Sequence, residues 1–346
     1  MKKYLVNTLI VLFSVMLVVV IGGGIYMQDV LSGLSNVDEG GKSADLQGDV
    51  ITPASGETLT ADEQAIAELG KDTINVLCLG VDSRNTDGKM VGNTDVMMIA
   101  TVDLKSKTIR LTSLMRDMYV AIPGHGKTRI NAAFASGGAD LALQTVNQNF
   151  GLNLKHYAIV DFISMEKIIN RVGSITIDVR EEEVNYVNEV IVELNKINRE
   201  KDPNDKQVEF LAHGGEQQLN GRQAVAYARV RHVGNSDYER TARQRKVLIE
   251  MFKKVMQMNI LDAPGLVQDV SPYIETNLTP DQILSVGLKV LSFKGAGVEQ
   301  LRVPMDGAFS SEKINGAAVL VPNIAECKKT IQNFIVGLYE PPEKQY

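Results

Sequence analysis

Between Arg222 and Lys246 the chain reads RQAVAYARVRHVGNSDYERTARQRK, setting Arg222, Arg229, Arg231, Arg240, Arg243, Arg245 and Lys246 against only Asp237 and Glu239. A guanidinium is a planar fork of donors that matches phosphate oxygens and stays charged at any working pH. The whole chain carries a formal net charge of -6, so this cluster runs against the global trend. Two carboxylates complement it. Asp82 closes the apolar run of residues 74–81 (INVLCLGV), and Asp95 opens the next run. Oxygen ligands suit Mg²⁺ or Mn²⁺, and one or two carboxylates completed by substrate phosphates is the usual Mg²⁺ arrangement. Arg84, Arg116 and Arg129 fall at strand ends or loop entries, where a core role is implausible. Together these residue types describe a phosphoryl-binding site. Each has an ordinary alternative: an Asp can be a turn or N-cap residue, and a basic run can be a solvated helix start.

Other chemistries lack their residues. There is no nucleophile elbow, HExxH, Walker loop or Cys–His pair. Of the four histidines, His125 sits in a Gly-rich turn, and His156 and His213 have no evident partner. His232 adjoins Arg231 and is placed near the site to orient neighbours, not to move protons. Cys78 and Cys327 read as two buried free thiols, in neither a CxxC pair nor a His-rich setting.

The elements that must position these groups follow from periodicity. From Val247 a helix is expected, with Leu248, Met251, Phe252, Val255 and Met256 on one stripe. Counting back in fours from Leu248 gives Gln244 and Arg240. The inward face thus turns cationic at the helix N-terminus, where free N–H groups and the dipole favour an anion. Residues 74–81 form a strand buried on both faces, and residues 95–102 and 108–114 pair as a hairpin through the polar turn 103–107. Helices are expected over 139–150, 162–172 and 181–200, then 264–270, 280–293 and 323–338, with strands at 174–179 and 299–304. Strands alternating with helices predict an α/β fold, an αβα sandwich around a central mixed β-sheet.

Hydrophobic content of 44% and charged content of 23% are those of an ordinary globular protein. Residues 4–27 form an almost uninterrupted apolar segment behind Lys2 and Lys3. About 20 apolar residues span a bilayer, and flanking lysines stay cytoplasmic. The reading is an uncleaved transmembrane anchor within residues 1–28, an extracytoplasmic linker over 29–72 with a short helix in ADEQAIAELG, and a folded body over 73–346.

The succession LGVDSR, NTDVMM, SLMRD, TRINAAFASGG, VDF, LNGRQAVAYARVRH and DYERTARQR, across residues 74–256, resembles the LytR-CpsA-Psr family of cell-wall proteins. The resemblance implies a membrane-anchored phosphotransferase. It moves a glycopolymer (teichoic acid, capsule or similar) from a polyprenyl diphosphate carrier onto peptidoglycan, releasing polyprenyl phosphate, with pyrophosphatase as a side activity. Carried over by motif, Asp82 and Asp95 match metal-binding aspartates, with Mg²⁺ or Mn²⁺ as cofactor. Arg116, Arg229, Arg231, Arg240 and Gln244 match diphosphate-binding positions, with Arg116 also assigned to catalysis. Asp237 matches an acidic residue that helps activate the acceptor hydroxyl, although a helix N-cap explains it equally well. Arg129 is the basic member of a (Lys/Arg)-Ile-Asn motif. Asn93 stands where the family often has Arg, a contact that Arg84 could supply instead. The lipid needs an apolar slot, for which the 181–200 helix and the 248–256 stripe are candidate walls, with packing on the core as the alternative for both. The partners implied are the lipid-linked glycopolymer, peptidoglycan and the cytoplasmic membrane. Nucleic acid is not expected of an exported acidic body without a helix-turn-helix signal. A regulatory or wall-glycan-binding protein without catalysis is the alternative, disfavoured by the Asp/Arg constellation and by only 5% aromatic residues.

The topology is directly testable. A reporter active only in the cytoplasm, fused after Tyr346, should stay silent in cells, and activity there would overturn the orientation.

Overall fold

Burial alternates along the central strands because successive side chains point to opposite faces, and both faces are covered. In the strand Thr73–Val81, Ile74, Val76 and Cys78 enter one core while Leu77, Leu79 and Val81 enter the other. The computed structural model describes residues 59–81, 90, 92–230, 236–256, 263–291, 293 and 298–339. The apolar segment 4–27 lies outside them. Among the described residues no helix is long and apolar enough to cross a membrane.

In chain order the elements are α1 (Ala61–Gly70), β1 (Thr73–Val81), β2 (Thr94–Asp103), β3 (Thr108–Leu114), β4 (Tyr119–Ile122), β5 (Gly126–Arg129) and α2 (Ala132–Phe150). Then come β6 (His156–Asp161), α3 (Phe162–Val172), β7 (Ile175–Val179), α4 (Val184–Lys201), β8 (Gly215–Leu219), α5 (Gly221–Arg229) and α6 (Ser236–Met256). The chain continues with α7 (Ala263–Val270), β9 (Glu275–Thr276), α8 (Pro280–Leu291), β10 (Val298–Val303), β11 (Phe309–Ile314), β12 (Ala317–Pro322) and α9 (Ile324–Ile335). Six strands form a mixed sheet in the order β10-β3-β2-β1-β6-β9. β1 and β2 are antiparallel, as are β2 and β3, whereas β6 runs parallel to β1 and β10 parallel to β3. Asp103 makes the β2–β3 turn by accepting from the N–H groups of Lys105 (3.0 Å) and Ser106 (2.9 Å). Residues of α3 to α8 build the core on one face, and α1, α2 and α9 that on the other. Helix α1 falls within the segment read as linker, buries Ile66 and pairs Glu63 with Lys328 of α9 at 3.4 Å.

Several boundaries differ from the periodic reading. Helix α2 begins at Ala132 and is broken at Gly137–Gly138, where Gly138 takes φ +67°. Helix α6 begins at Ser236 instead of Val247. Its first turns carry Arg240 and Gln244, buried on the inward stripe that the spacing predicts, and Arg243, whose burial a rule that sends charge to water misses. Helix α5 was not expected, yet its start is legible. Asn220 accepts from Gln223 N–H and Gln223 Oε1 accepts from Asn220 N–H, the reciprocal cap that an Asn-x-x-Gln spacing permits.

Arg222 leaves the cationic cluster altogether. It is 2% exposed and donates to Glu166 of α3 (2.8 Å), Asn195 of α4 (2.7 Å) and Asp205 (2.9 Å). Helices α5 and α3 approach so closely that a Cβ on Gly221 would lie 2.1 Å from the Glu166 carbonyl oxygen. The role of Arg222 is to bind three elements together. Arg222→Met should lower unfolding free energy by about 3–5 kcal/mol, because Glu166 would keep its burial and lose its main counter-charge. Urea titration reads this, and a loss under about 1 kcal/mol would deny the network its structural role.

Candidate active site

The carboxylate end of the site is set by a bulge. β1 and β2 pair Gly80↔Val96 and then Val81↔Thr94, so Asp95 is the extra residue. Such a bulge re-aims one side chain out of the strand's alternation. Glycine is required opposite it, since a Cβ on Gly80 would lie 2.9 Å from the Cβ of Val96. The Asp95 carboxylate meets the Arg116 guanidinium. Arg116 Nε lies 3.6 Å from Asp117 Oδ2, and Asp117 Oδ1 accepts from Arg129 Nη1 at 3.1 Å. The result is an alternating chain of charges, Asp95–Arg116–Asp117–Arg129.

The Arg-Ile-Asn motif holds this chain through its backbone. Asn131 N–H donates to the Arg116 carbonyl, and the Asn131 carbonyl accepts from Thr94 N–H, each at 3.3 Å. Ile130 between them is fully buried. Asn131 thereby stitches the start of β2, with Asp95, to the segment carrying Arg116.

Helix α6 supplies the opposite wall. Arg240 and Gln244, one turn apart, are both buried and line a cavity with Asp95, Ser113, Met115, Arg116 and Asp117. Gln244 and Val96 also border a second cleft of about 600 Å³, which opens to solvent. Its wall is mostly apolar, with Cys78, Val81, Val160, Phe162, Met165, Val225, Ala228 and Val247. Asp161, in register with Val81, lies at this cleft and caps α3 by accepting from Ser164 N–H at 2.7 Å. Arg229, ending α5, sits 4.9 Å from the Phe162 ring centroid and 3.5 Å from Glu193 Oε1. At the junction of the two cavities, Gln244 Nε2 is buried and has no hydrogen-bond partner among the described residues. A buried amide donor left unsatisfied costs about 1–3 kcal/mol, and a ligand oxygen there would relieve that cost.

Of the residues singled out in the sequence, the fold gathers Asp95, Arg116, Arg240 and Gln244, with Arg129 joined through Asp117, while Arg229 lies over Phe162, a residue of the apolar cleft's wall. Asp82, Arg84, Arg231 and His232 lie outside the described residues, as do the side chains of Asp237 and Arg245. Helix α6 starts at Ser236, so Asp237 is within its first turn and not before it. Arg243 faces away, onto Glu183 at 2.6 Å. For the candidate walls of the apolar slot, the core alternative holds where their side chains are described, those of Leu248, Phe252 and Met256 lying outside the described residues. Val184, Val187, Ile191 and Leu194 of α4, and Met251 and Val255 of α6, pack into the main core. Among the described residues the cleft is lined by β1, β6, α3 and α5, with Val96 of β2 and Gln244 and Val247 of α6. Asp117, Asp161 and Phe162 were not singled out individually, although they stand inside the SLMRD and VDF motifs.

For a divalent cation the described residues offer carboxylate oxygen at Asp95, already against a guanidinium. No group of three or more His, Cys, Asp or Glu is gathered among the described residues. A lone carboxylate of this kind suits Mg²⁺, which takes one or two carboxylates and completes its shell with substrate phosphates.

Fold and site define an α/β protein with a two-part cleft, apolar at one end and charged at the other, suited to an amphiphilic anion. The chain matches the LytR_cpsA_psr family over residues 44–334 and belongs to it. Regulatory protein MsrR of Staphylococcus aureus is 30% identical over 265 residues, covering 76% of this chain and 74% of that protein. TagU of Enterococcus faecalis, a polyisoprenyl-teichoic acid–peptidoglycan teichoic acid transferase, is 32% identical over 228 residues, covering 65% of this chain and 68% of that protein. The structure of TagT of Bacillus subtilis with bound octaprenyl pyrophosphate lipid aligns with a TM-score of 0.55 at 23% identity, covering 84% of this chain and 97% of that one. At that identity the likeness is one of fold.

The bulge makes its own prediction. Gly80→Ala should push β1 from β2 beside Asp95 and cost about 1–3 kcal/mol. A thermal melt should fall accordingly, and an unchanged melting temperature would mean the close approach at Val96 is relieved without cost.

Proposed function

We propose that this protein transfers a glycopolymer from a polyprenyl diphosphate carrier to peptidoglycan. The observation that carries this reading is the position of Gln244. Its unsatisfied amide stands where an apolar cleft meets a cavity lined by Arg116 and Arg240. A polyprenyl diphosphate has the same two-part character. Its hydrocarbon suits Phe162, Met165 and Val225, and its phosphates suit the guanidinium groups and the Gln244 amide. Kinship with a named teichoic acid transferase supports the same reading.

In the reaction, a hydroxyl oxygen of the acceptor attacks the phosphorus that carries the glycopolymer. The new P–O bond forms as the bond to the bridging oxygen breaks, leaving polyprenyl phosphate, and the hydroxyl proton passes to a base. Such transfer depends on in-line positioning and on neutralising charge at non-bridging oxygens. Arg116, Arg240 and Arg229 would do the neutralising, and Gln244 would orient one oxygen. Asp82 and Asp95 would hold Mg²⁺, which supplies Lewis-acid stabilisation of the phosphates when bound. Asp237 is the proposed proton acceptor. Residues 4–27 would anchor the protein in the cytoplasmic membrane with its body outside, within reach of a lipid-borne donor. The regulatory name of MsrR favours a second reading, in which the same cleft binds a lipid-linked glycan without turning it over.

Turnover separates the two. Full-length protein in lipid vesicles, given Mg²⁺, lipid-diphosphate-linked glycopolymer and peptidoglycan fragments, should release polyprenyl phosphate. Arg240→Lys keeps the charge and loses the fork, so the rate should fall about a hundred-fold. Lys196→Ala, on the exposed side of α4, should match wild type. Binding without release would favour the second reading, and equal rates in all proteins would remove Arg240 from the site.

A further inference from the structure

The phosphate-binding groups assigned above come from separate elements. Arg229 ends α5, Arg240 and Gln244 lie on α6, and residues 230–235 join the two helices. Guanidinium groups converging on one ligand repel one another before it arrives, so something other than the ligand must hold their elements at the right spacing.

Arg243 is placed to do this. It stands between Arg240 and Gln244 in sequence but points the other way and is 3% exposed. Its Nε donates to Glu183 Oε1 at 2.6 Å, its Nη1 to the Val230 carbonyl at 3.0 Å and its Nη2 to Glu239 Oε2 at 3.2 Å. Glu183, 1% exposed, also accepts from the backbone N–H and the Nη2 of Arg180, each at 2.9 Å. Val230 directly follows Arg229. One side chain therefore joins α6 to the carbonyl that ends α5 and to the turn Glu181–Glu183 that opens α4.

We propose that Arg243, seated on Glu183, is a positioning residue that sets the distance between the phosphate-binding end of α5 and that of α6. The inference rests on reading the cleft as a diphosphate site. A buried ion pair is weak evidence for stability, since apolar residues of similar volume often do as well. What apolar residues cannot do is hold a carbonyl, a carboxylate and a second carboxylate along fixed directions at once. Arginine is needed for that, because a lysine ammonium has no rigid fork. Burial pushes the Glu183 carboxyl up, but the Arg243 and Arg180 bonds outweigh it and hold the group below its ordinary range. The seat is therefore charged at neutral pH. Arg222 provides the contrast. It too is a buried, multiply bonded arginine, but it lies at the start of α5 and none of its partners Glu166, Asn195 and Asp205 adjoins Arg229, Arg240 or Gln244 in the chain, whereas Val230 directly follows Arg229 and Arg243 itself precedes Gln244.

The test compares Arg243→Lys with Arg222→Lys in the full-length protein, using farnesyl diphosphate as the binding probe and urea titration for stability. Arg243→Lys should weaken probe binding by about tenfold or more, as misplacement by an ångström can, and should lower kcat for transfer. Arg222→Lys should lose at least as much stability and bind the probe within about twofold of wild type. Glu183→Gln, which keeps the shape of the seat, should weaken the probe in the same direction as Arg243→Lys. Wild-type affinity in both Arg243→Lys and Glu183→Gln would overturn the inference alone, as would affinity losses in Arg222→Lys and Arg243→Lys that simply track stability. A wild-type protein that neither binds the probe nor turns over a lipid diphosphate would overturn the diphosphate reading, and the inference with it.

Discussion

Positive charge held out of water is the constraint around which this molecule is built. A buried guanidinium is tolerable only where carboxylates or carbonyls meet its donors, because losing one partner strands a charge in a medium of low polarity. The fold meets this condition repeatedly. Arg222 has Glu166 and Asp205, Arg243 has Glu183, Arg110 has Asp103 at 2.9 Å and Glu299 at 2.7 Å, and Arg116 has Asp95. Each pair spans two elements. Satisfying the charge and fixing the architecture are thus the same act.

The pairs divide by what surrounds them. Around Arg222 and Arg110 the partners close the network inside the protein, and Arg110 also donates to the Ile335 carbonyl at the end of α9. Around Arg116 and Arg240 the neighbours include a cavity. A phosphate entering there would meet donors already in place, so little reorganisation would be charged to binding. The bulge at Asp95 and the glycine opposite it belong to this preparation. They turn a carboxylate toward Arg116 at the point where the sheet's regular pairing stops.

The apolar half of the cleft follows from the same sheet end. β6 runs parallel to β1, so the ends of both strands open together, and α3 departs from Asp161 beside that opening. Phe162 and Met165 on its first turns face α5 and Val247 across the gap. A ligand with a hydrocarbon part and a diphosphate could lie across Val96 and Gln244, which border both cavities.

By itself the sequence determined the alternation of strands and helices, the double burial of β1, the β2–β3 hairpin, and the arrival of Arg240 and Gln244 on one inward stripe. All are local, set by the periods of strand and helix acting on side chains a few residues apart. The cap of α5 was equally local and could have been read from Asn220 and Gln223. Only the tertiary structure decided which arginines of the cluster reach the cleft. Arg222, Arg240 and Arg243 are the same residue type within one short stretch, yet Arg222 finds Glu166 on α3, Arg243 finds Glu183 ahead of α4, and Arg240 lines a cavity with Asp95 and Arg116. It also sent the α4 stripe into the core and gave the cleft to α3 and α5. A periodic pattern tells which face of a helix avoids water, but not what stands opposite. That depends on elements far apart in the chain, and here a buried charge goes where its counter-charge has been carried by the fold.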